Sequence, residues 1–162
     1  MTRAQAWTLH CAALGVGGTG LVYGWMRYLC EPEDELALVN HPLQPTLQHL
    51  HLWLAPLLVF AVGLVWSDHV WKRVRGGFPV RRPTGLALFA LFVPMAVSGA
   101  WVQVAESELA RTLAISVHAG SGTAWLAVYV VHLLSSRGPA GEVRRGNTGP
   151  SPDRTASRSA SA

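Results

Sequence analysis

The sequence predicts an all-α membrane protein in which four transmembrane helices form one bundle. Four apolar segments are each long enough to cross a bilayer core of roughly 30 Å. Half of the residues are hydrophobic and only 14% are charged, and the segments that connect the four spans alternate in the sign of their charge. Helix is the expected structure because backbone groups in lipid must be hydrogen-bonded internally, and four spans cannot close a β-barrel.

The four predicted spans lie near residues 7–29, 47–70, 85–105 and 112–134. The first follows Arg3, as a secretory signal peptide would, but its apolar stretch is too long for one, so we expect it to be retained. Small residues in this span suit close packing against a neighbouring helix or a flat cofactor. They are the glycines Gly15, Gly17, Gly18, Gly20 and Gly24.

The charged residues between the spans predict the orientation. Acidic residues follow the first and third spans (Glu31, Glu33, Asp34, Glu35, Glu106 and Glu108), whereas Lys72, Arg73, Arg75, Arg81 and Arg82 follow the second. All of the thirteen basic residues except Arg27 and Arg111 fall on the side of the two termini. The positive-inside rule therefore places both termini in the cytoplasm and the acidic loops outside, in the periplasm if the membrane is a bacterial inner membrane.

Composition divides the chain into a membrane domain, residues 1–135, and a tail, residues 136–162. The tail consists mostly of Ser, Gly, Arg and Pro, which cannot bury enough apolar surface to fold, so we expect it to be disordered. The sequence pI near 9.7 does not indicate nucleic-acid binding, because membrane topology accounts for the basic residues. Cys11 and Cys30 lie near opposite ends of one predicted helix, which excludes a disulfide between them.

Histidines within the spans are the strongest functional signal, because an ionisable residue is costly in a membrane. His118 and His132 are fourteen residues apart in the fourth span. On an α-helix this spacing points both side chains the same way, about 21 Å apart along the axis. The two imidazoles would then lie near the two faces of the bilayer.

Other histidines are predicted at matching depths. His10 lies at the cytoplasmic end of the first span and pairs with His132. At the outer face, His51 or His49 pairs with His118. His51 is the preferred partner because it is deeper. His69, at the cytoplasmic end of the second span, could replace His10 as the inner ligand, contact a haem propionate or line a quinone pocket.

Two imidazoles at one depth can fill both axial positions of a haem iron. The sequence therefore predicts two non-covalent b-type haems, held through iron by His10, His51, His118 and His132, with His49 and His69 as alternatives. No CxxCH motif occurs, which argues against covalently attached haem. Iron with both axial positions filled has no open position for oxygen and carries single electrons. Gly17 and Gly122 could let a porphyrin lie against the helices, or could simply serve helix packing.

Two other classes of function stay open on the sequence. In a haem-free membrane anchor or assembly subunit, the histidines would hydrogen-bond neighbouring helices. In a proton or metal transporter, they would form a conducting row. Haem content separates the electron carrier from both.

The segment from Leu50 to Trp71, LHLWLAPLLVFAVGLVWSDHVW, resembles the second span of bacterial four-helix cytochrome b proteins. The arrangement is similar to the cytochrome b membrane subunit of formate dehydrogenase N and respiratory hydrogenases. In that family the first and second spans supply one haem ligand each and the fourth supplies two, which His10, His51, His118 and His132 match. The resemblance implies an electron-transfer subunit of a respiratory oxidoreductase, exchanging electrons between quinone and a redox partner on the periplasmic side.

Overall fold

A computed structural model describes residues 2–32, 34, 36–66, 71 and 82–135. These residues form four helices: α1 (Arg3–Tyr28), α2 (Gln44–Val65), α3 (Arg82–Val104) and α4 (Glu108–Leu134). The predicted all-α class is confirmed, and each helix overlaps one predicted span. The end of the second predicted span, with His69, and the tail from 136 to 162 lie outside the described residues.

Three of the four helices are long and apolar enough to cross a membrane: Gln44–Val65, Pro83–Val104 and Glu108–Leu134. Helix α1 is long enough, at 26 residues, but it is the least apolar of the four. Large apolar side chains such as Trp53, Phe60 and Val97 point outward from the helices. Such a surface suits lipid rather than water, and the architecture is that of a multi-pass membrane protein.

Side-chain hydrogen bonds cap two of the helices at their N-termini. Thr2 accepts from the Gln5 backbone N–H at 3.2 Å while the Gln5 side chain accepts from the Thr2 N–H at 2.7 Å, a capping box. Ser107 caps α4 by accepting from the Ala110 N–H at 3.2 Å. Both caps satisfy backbone donors that a helix end otherwise leaves free.

The helices pack as two antiparallel hairpins. Helix α1 packs along α2, α3 packs along α4, and the hairpins meet mainly where α1 contacts α4. Gln5 at the start of α1 donates to the carbonyl of Leu64 near the end of α2, at 3.2 Å. Thr84 and His132 join the start of α3 to the end of α4 in the same way. The N-terminal end of one helix in each hairpin thus lies beside the C-terminal end of the other.

The core between the hairpins is built mainly from small and aromatic side chains. Ala13, Ala61 and Ala114 are fully buried, and no large side chain among the described residues is. Trp125 and Tyr129 stack on each other in the middle of the core, with ring centroids 5.1 Å apart. Leu58 and Met95 add aliphatic packing to this core.

Candidate functional site

Two of the predicted ligands, His51 on α2 and His118 on α4, face each other across the gap between the hairpins. Their ring centroids are 5.9 Å apart and their planes are inclined at 74°. Both side chains are half-buried, whereas His49, the alternative outer ligand, is exposed. Because α2 and α4 otherwise make few contacts, the two rings are a main link between these helices.

Backbone carbonyls hold both rings of the outer pair. The His51 Nδ1 lies 3.0 Å from the carbonyl oxygen of Val16 and 3.3 Å from the Thr19 hydroxyl, both on α1. The His118 Nδ1 lies 2.9 Å from the carbonyl oxygen of Met95 on α3. A carbonyl oxygen can only accept, so Nδ1 carries the proton in both rings and Nε2 keeps a free lone pair. This is the tautomer that ligates a metal through Nε2.

A glycine lies against each of the two rings. A Cβ atom added to Gly20 would lie 2.9 Å from Cε1 of His51, and one added to Gly99 would lie 2.8 Å from Cε1 of His118. Contacts this short are not tolerated without movement of the ring. Glycine at these two positions therefore permits each imidazole to approach its neighbouring helix and reach the carbonyl.

The two predicted inner ligands also have partners at Nδ1, but the partners are hydroxyl groups. The His10 Nδ1 is hydrogen-bonded to the Tyr129 hydroxyl, and the His132 Nδ1 lies 2.9 Å from the Thr84 hydroxyl. The structure brings His10 against Trp7 and Tyr129; it does not place His10 ring to ring with His132 as it places His51 with His118. Both inner histidines are half-buried.

The outer pair fits the axial ligands of a haem in its chemistry and spacing. An imidazole nitrogen lies about 2 Å from a first-row metal ion, so ring centres on opposite sides of one ion are roughly 6 Å apart. In the described parts of the chain, no group of three or more His, Cys, Asp and Glu side chains could hold a metal ion. A protein-only zinc site normally needs at least three such ligands. Two imidazoles suit a metal whose other ligands come from a macrocycle.

The inner histidines share one donor pattern. In His10 and His132 it is Nδ1 that meets a hydroxyl group. A hydroxyl that accepts from Nδ1–H fixes the same tautomer as a carbonyl does. His41, outside the spans, shows the opposite pattern, because its Nδ1 accepts from the Leu43 N–H at 3.1 Å.

Several residues of the site are not apparent from the histidine pattern. They are Thr19, Thr84, Ser98, Gly99 and Tyr129, together with the carbonyls of Val16 and Met95. The sequence does carry one signal for Thr19, Ser98 and Gly99, a hydroxyl residue followed by glycine, but Thr84–Gly85 and Ser121–Gly122 have the same pattern. By contrast, Gly17 lies against the Leu126 side chain and Gly122 against Met95, so both of these serve helix packing.

No family model matches the chain, and no curated protein or solved structure matches it.

Proposed function

We propose that this chain is a di-haem b-type cytochrome that transfers electrons across a membrane, between quinone and a redox partner on the outer side. The observation that supports this most is the outer histidine pair. Two half-buried imidazoles, one from each hairpin, lie 5.9 Å apart between ring centroids, and each donates from Nδ1 to a backbone carbonyl, which leaves Nε2 as the nitrogen available to a metal. Ionisable residues are costly inside a membrane, so an intramembrane pair of this kind favours a functional role.

In this proposal, His51 and His118 hold the outer haem, and His10 and His132 hold the inner one. Each haem supplies one-electron redox chemistry when bound, and the protein supplies its ligands and a medium of low dielectric constant. The hydrogen bonds at Nδ1 would fix the orientation of each imidazole ring. With two histidines as ligands in each layer, the proposed sites would favour electron transfer over the binding of oxygen or substrate.

The proposed topology has four spans, with α1 as the fourth crossing. Both termini and the basic segment between α2 and α3 then lie in the cytoplasm of a bacterium, on the inner face of its inner membrane. The outer histidine pair lies near the acidic loops, which would face a periplasmic or membrane-bound redox partner. Quinone is included as the electron-exchange partner because the resemblance to four-helix cytochrome b proteins implies it.

A reduced-minus-oxidised visible spectrum with a pyridine haemochrome assay tests the proposal directly. The measurement uses protein purified in detergent after expression with added haem precursor. We expect sharp low-spin b-type bands and two haems per chain. A preparation without haem would reject the cytochrome and favour a haem-free anchor or assembly subunit. Metal or proton flux into vesicles would then single out a transporter.

A further inference from the structure

The two hairpins anchor their outer histidines with the same local pattern. On α1, the Val16 carbonyl accepts from His51 and Gly20, four residues later, lies against the ring. On α3, Met95 and Gly99 stand in the same relation to His118. In both helices the residue before the glycine carries a hydroxyl group, Thr19 in α1 and Ser98 in α3.

Each of these hydroxyls is bonded to the carbonyl that holds the imidazole. Thr19 Oγ1 lies 3.1 Å from the Val16 carbonyl oxygen and 2.7 Å from that of Gly15. Ser98 Oγ lies 3.2 Å from the Met95 carbonyl oxygen and also donates to that of Pro94. Ser98 is only 3% exposed, so its hydroxyl lies in the interior beside the outer pair.

Back-bonding of Ser and Thr to a carbonyl three or four residues earlier is common in helices and needs no functional explanation by itself. Ser116, Ser121 and Ser135 make such bonds in α4 or at its end, to carbonyls that none of the described imidazoles uses. At Thr19 and Ser98, however, the hydroxyl proton is shared between two carbonyls, and the one at the longer distance is the carbonyl that accepts from the ligand. This coincidence occurs once in each hairpin.

We propose that Ser98 and Thr19 are positioning residues that set the electron-donating strength of His118 and His51, and thereby the reduction potential of the outer haem. This inference rests on the proposed function. A carbonyl oxygen that also accepts from a hydroxyl is a weaker acceptor for Nδ1–H. The imidazole is then less basic, stabilises ferric iron less, and the potential is higher.

A potentiometric titration of the holoprotein, followed by its visible spectrum, tests this at Ser98→Ala. The variant removes the hydroxyl donor, so the Met95 carbonyl should bind Nδ1–H more strongly and the outer haem should titrate at a more negative potential. The inner haem should titrate as in the parent. Ser116→Ala is the matched control, because it removes a back-bonding hydroxyl of α4 whose carbonyl partner is Thr112, and it should shift neither haem.

An outer-haem potential in Ser98→Ala that is unchanged, or more positive, would overturn the inference. If Ser98→Ala fails to retain the outer haem, Thr19→Val decides instead. Valine matches threonine in shape, and the closer contact of the His51 Nδ1 is to the Val16 carbonyl. We therefore expect the outer-haem potential of Thr19→Val to shift in the negative direction, by less than in Ser98→Ala. An unchanged potential would overturn the inference. A parent protein without haem would remove the proposed function and this inference together. If the parent binds two haems but the substitutions leave the outer-haem potential unchanged, only the inference is overturned and the proposed function stands.

Discussion

At the scale of single residues, the outer site depends on three contacts around each ring. Nδ1 donates to a backbone carbonyl, a glycine makes room for the ring, and the ring of the opposite histidine lies 5.9 Å away between centroids. The carbonyls belong to regular helix, so removing an imidazole leaves no buried backbone group without a partner. Ligand substitutions should therefore affect haem binding more than folding.

Substituting single histidines should remove single haems. His118→Ala or His51→Ala should lose the outer haem and keep the inner one, and His132→Ala or His10→Ala should do the reverse. His49→Ala is the control on α2, because its side chain is exposed, and it should retain both haems. Haem per chain and separate redox titrations measure the outcome. Equal haem content in the parent, His118→Ala and His132→Ala would contradict the ligand assignment.

Adding one methyl group beside a ligand should weaken the outer haem. A Cβ atom in Gly99→Ala meets the His118 ring, and one in Gly20→Ala meets the His51 ring. Overpacking of this kind typically costs about 1–3 kcal/mol, equivalent to roughly 5- to 150-fold weaker haem binding.

Gly85→Ala and Gly24→Ala are the matched controls, because they lie on the same two helices and an added Cβ meets nothing within 4 Å. The rate of haem transfer to apomyoglobin compares the four variants. Similar rates for Gly99→Ala and Gly85→Ala would show that the close approach of ring to helix is not required.

At the scale of helices, α1 combines a modest apolar character with a central position. It packs along α2, contacts α4 and supplies the carbonyl that holds His51. Its glycines lower its apolar character, yet Gly20 is where the His51 ring makes its close approach. The glycines that make α1 the least apolar helix therefore include one, Gly20, that the His51 ring needs for its close approach.

Reactivity of the two native cysteines can test whether α1 crosses the membrane. Cys30 lies just beyond the outer end of α1, and Cys11 lies within it. In intact cells, a membrane-impermeant maleimide should label Cys30 but not Cys11. An affinity tag fused to the N-terminus should be protected from protease added outside. Digestion of the tag in cells whose Cys30 is labelled would place both ends of α1 on the same side.

Helix positions were largely predictable from the sequence, and helix ends were less so. The fourth predicted span begins at 112, but α4 begins at Glu108, because Ser107 caps it ahead of the apolar stretch. The second begins at 47, but α2 begins at Gln44, where Pro45 suits the first turn of a helix. Hydropathy marks the part of a helix that lies in lipid, whereas caps and proline mark where the backbone becomes helical.

At the scale of the whole molecule, two hairpins share a core in which the fully buried side chains are small. Packing within each hairpin is extensive, whereas the hairpins are joined by contacts of α1 with α4, by the core cluster that all four helices share and by the two outer imidazoles. A ligand held by one histidine from each hairpin would therefore join the two halves. Haem binding and the association of the hairpins should be coupled.

Haem should raise the thermal stability of the detergent-solubilised protein. A ligand that binds only the folded state, at a thousand times its Kd, contributes about 4 kcal/mol, which corresponds to a Tm increase on the order of 10 °C. Thermal unfolding of haem-loaded and haem-depleted preparations measures the difference. His51→Ala together with His118→Ala should lose part of the gain, and an equal Tm with and without haem would contradict the coupling.

The histidine pattern predicted two ring pairs, because residue spacing fixes the depth of each side chain on a helix; the structure brings His51 and His118 together but does not place His10 ring to ring with His132. The pattern could not predict that Tyr129 and Thr84 would meet His10 and His132, since these contacts depend on how helices are rotated against each other. The carbonyl partners of His51 and His118 could not be predicted either. Every residue has a backbone carbonyl, and the side chain does not indicate which carbonyl accepts from the imidazole.

The use of backbone carbonyls has a consequence for how such a site changes over evolutionary time. Exchanging Val16 or Met95 for another apolar residue of similar size leaves the backbone carbonyl in place. These two positions can therefore change during evolution without loss of the hydrogen bond to the imidazole. Gly20 and Gly99, one helical turn later, cannot be exchanged in the same way, because any larger side chain meets the histidine ring beside it. In divergent sequences, we therefore expect the glycine beside each histidine ring to be retained more strictly than the residue whose carbonyl accepts the hydrogen bond.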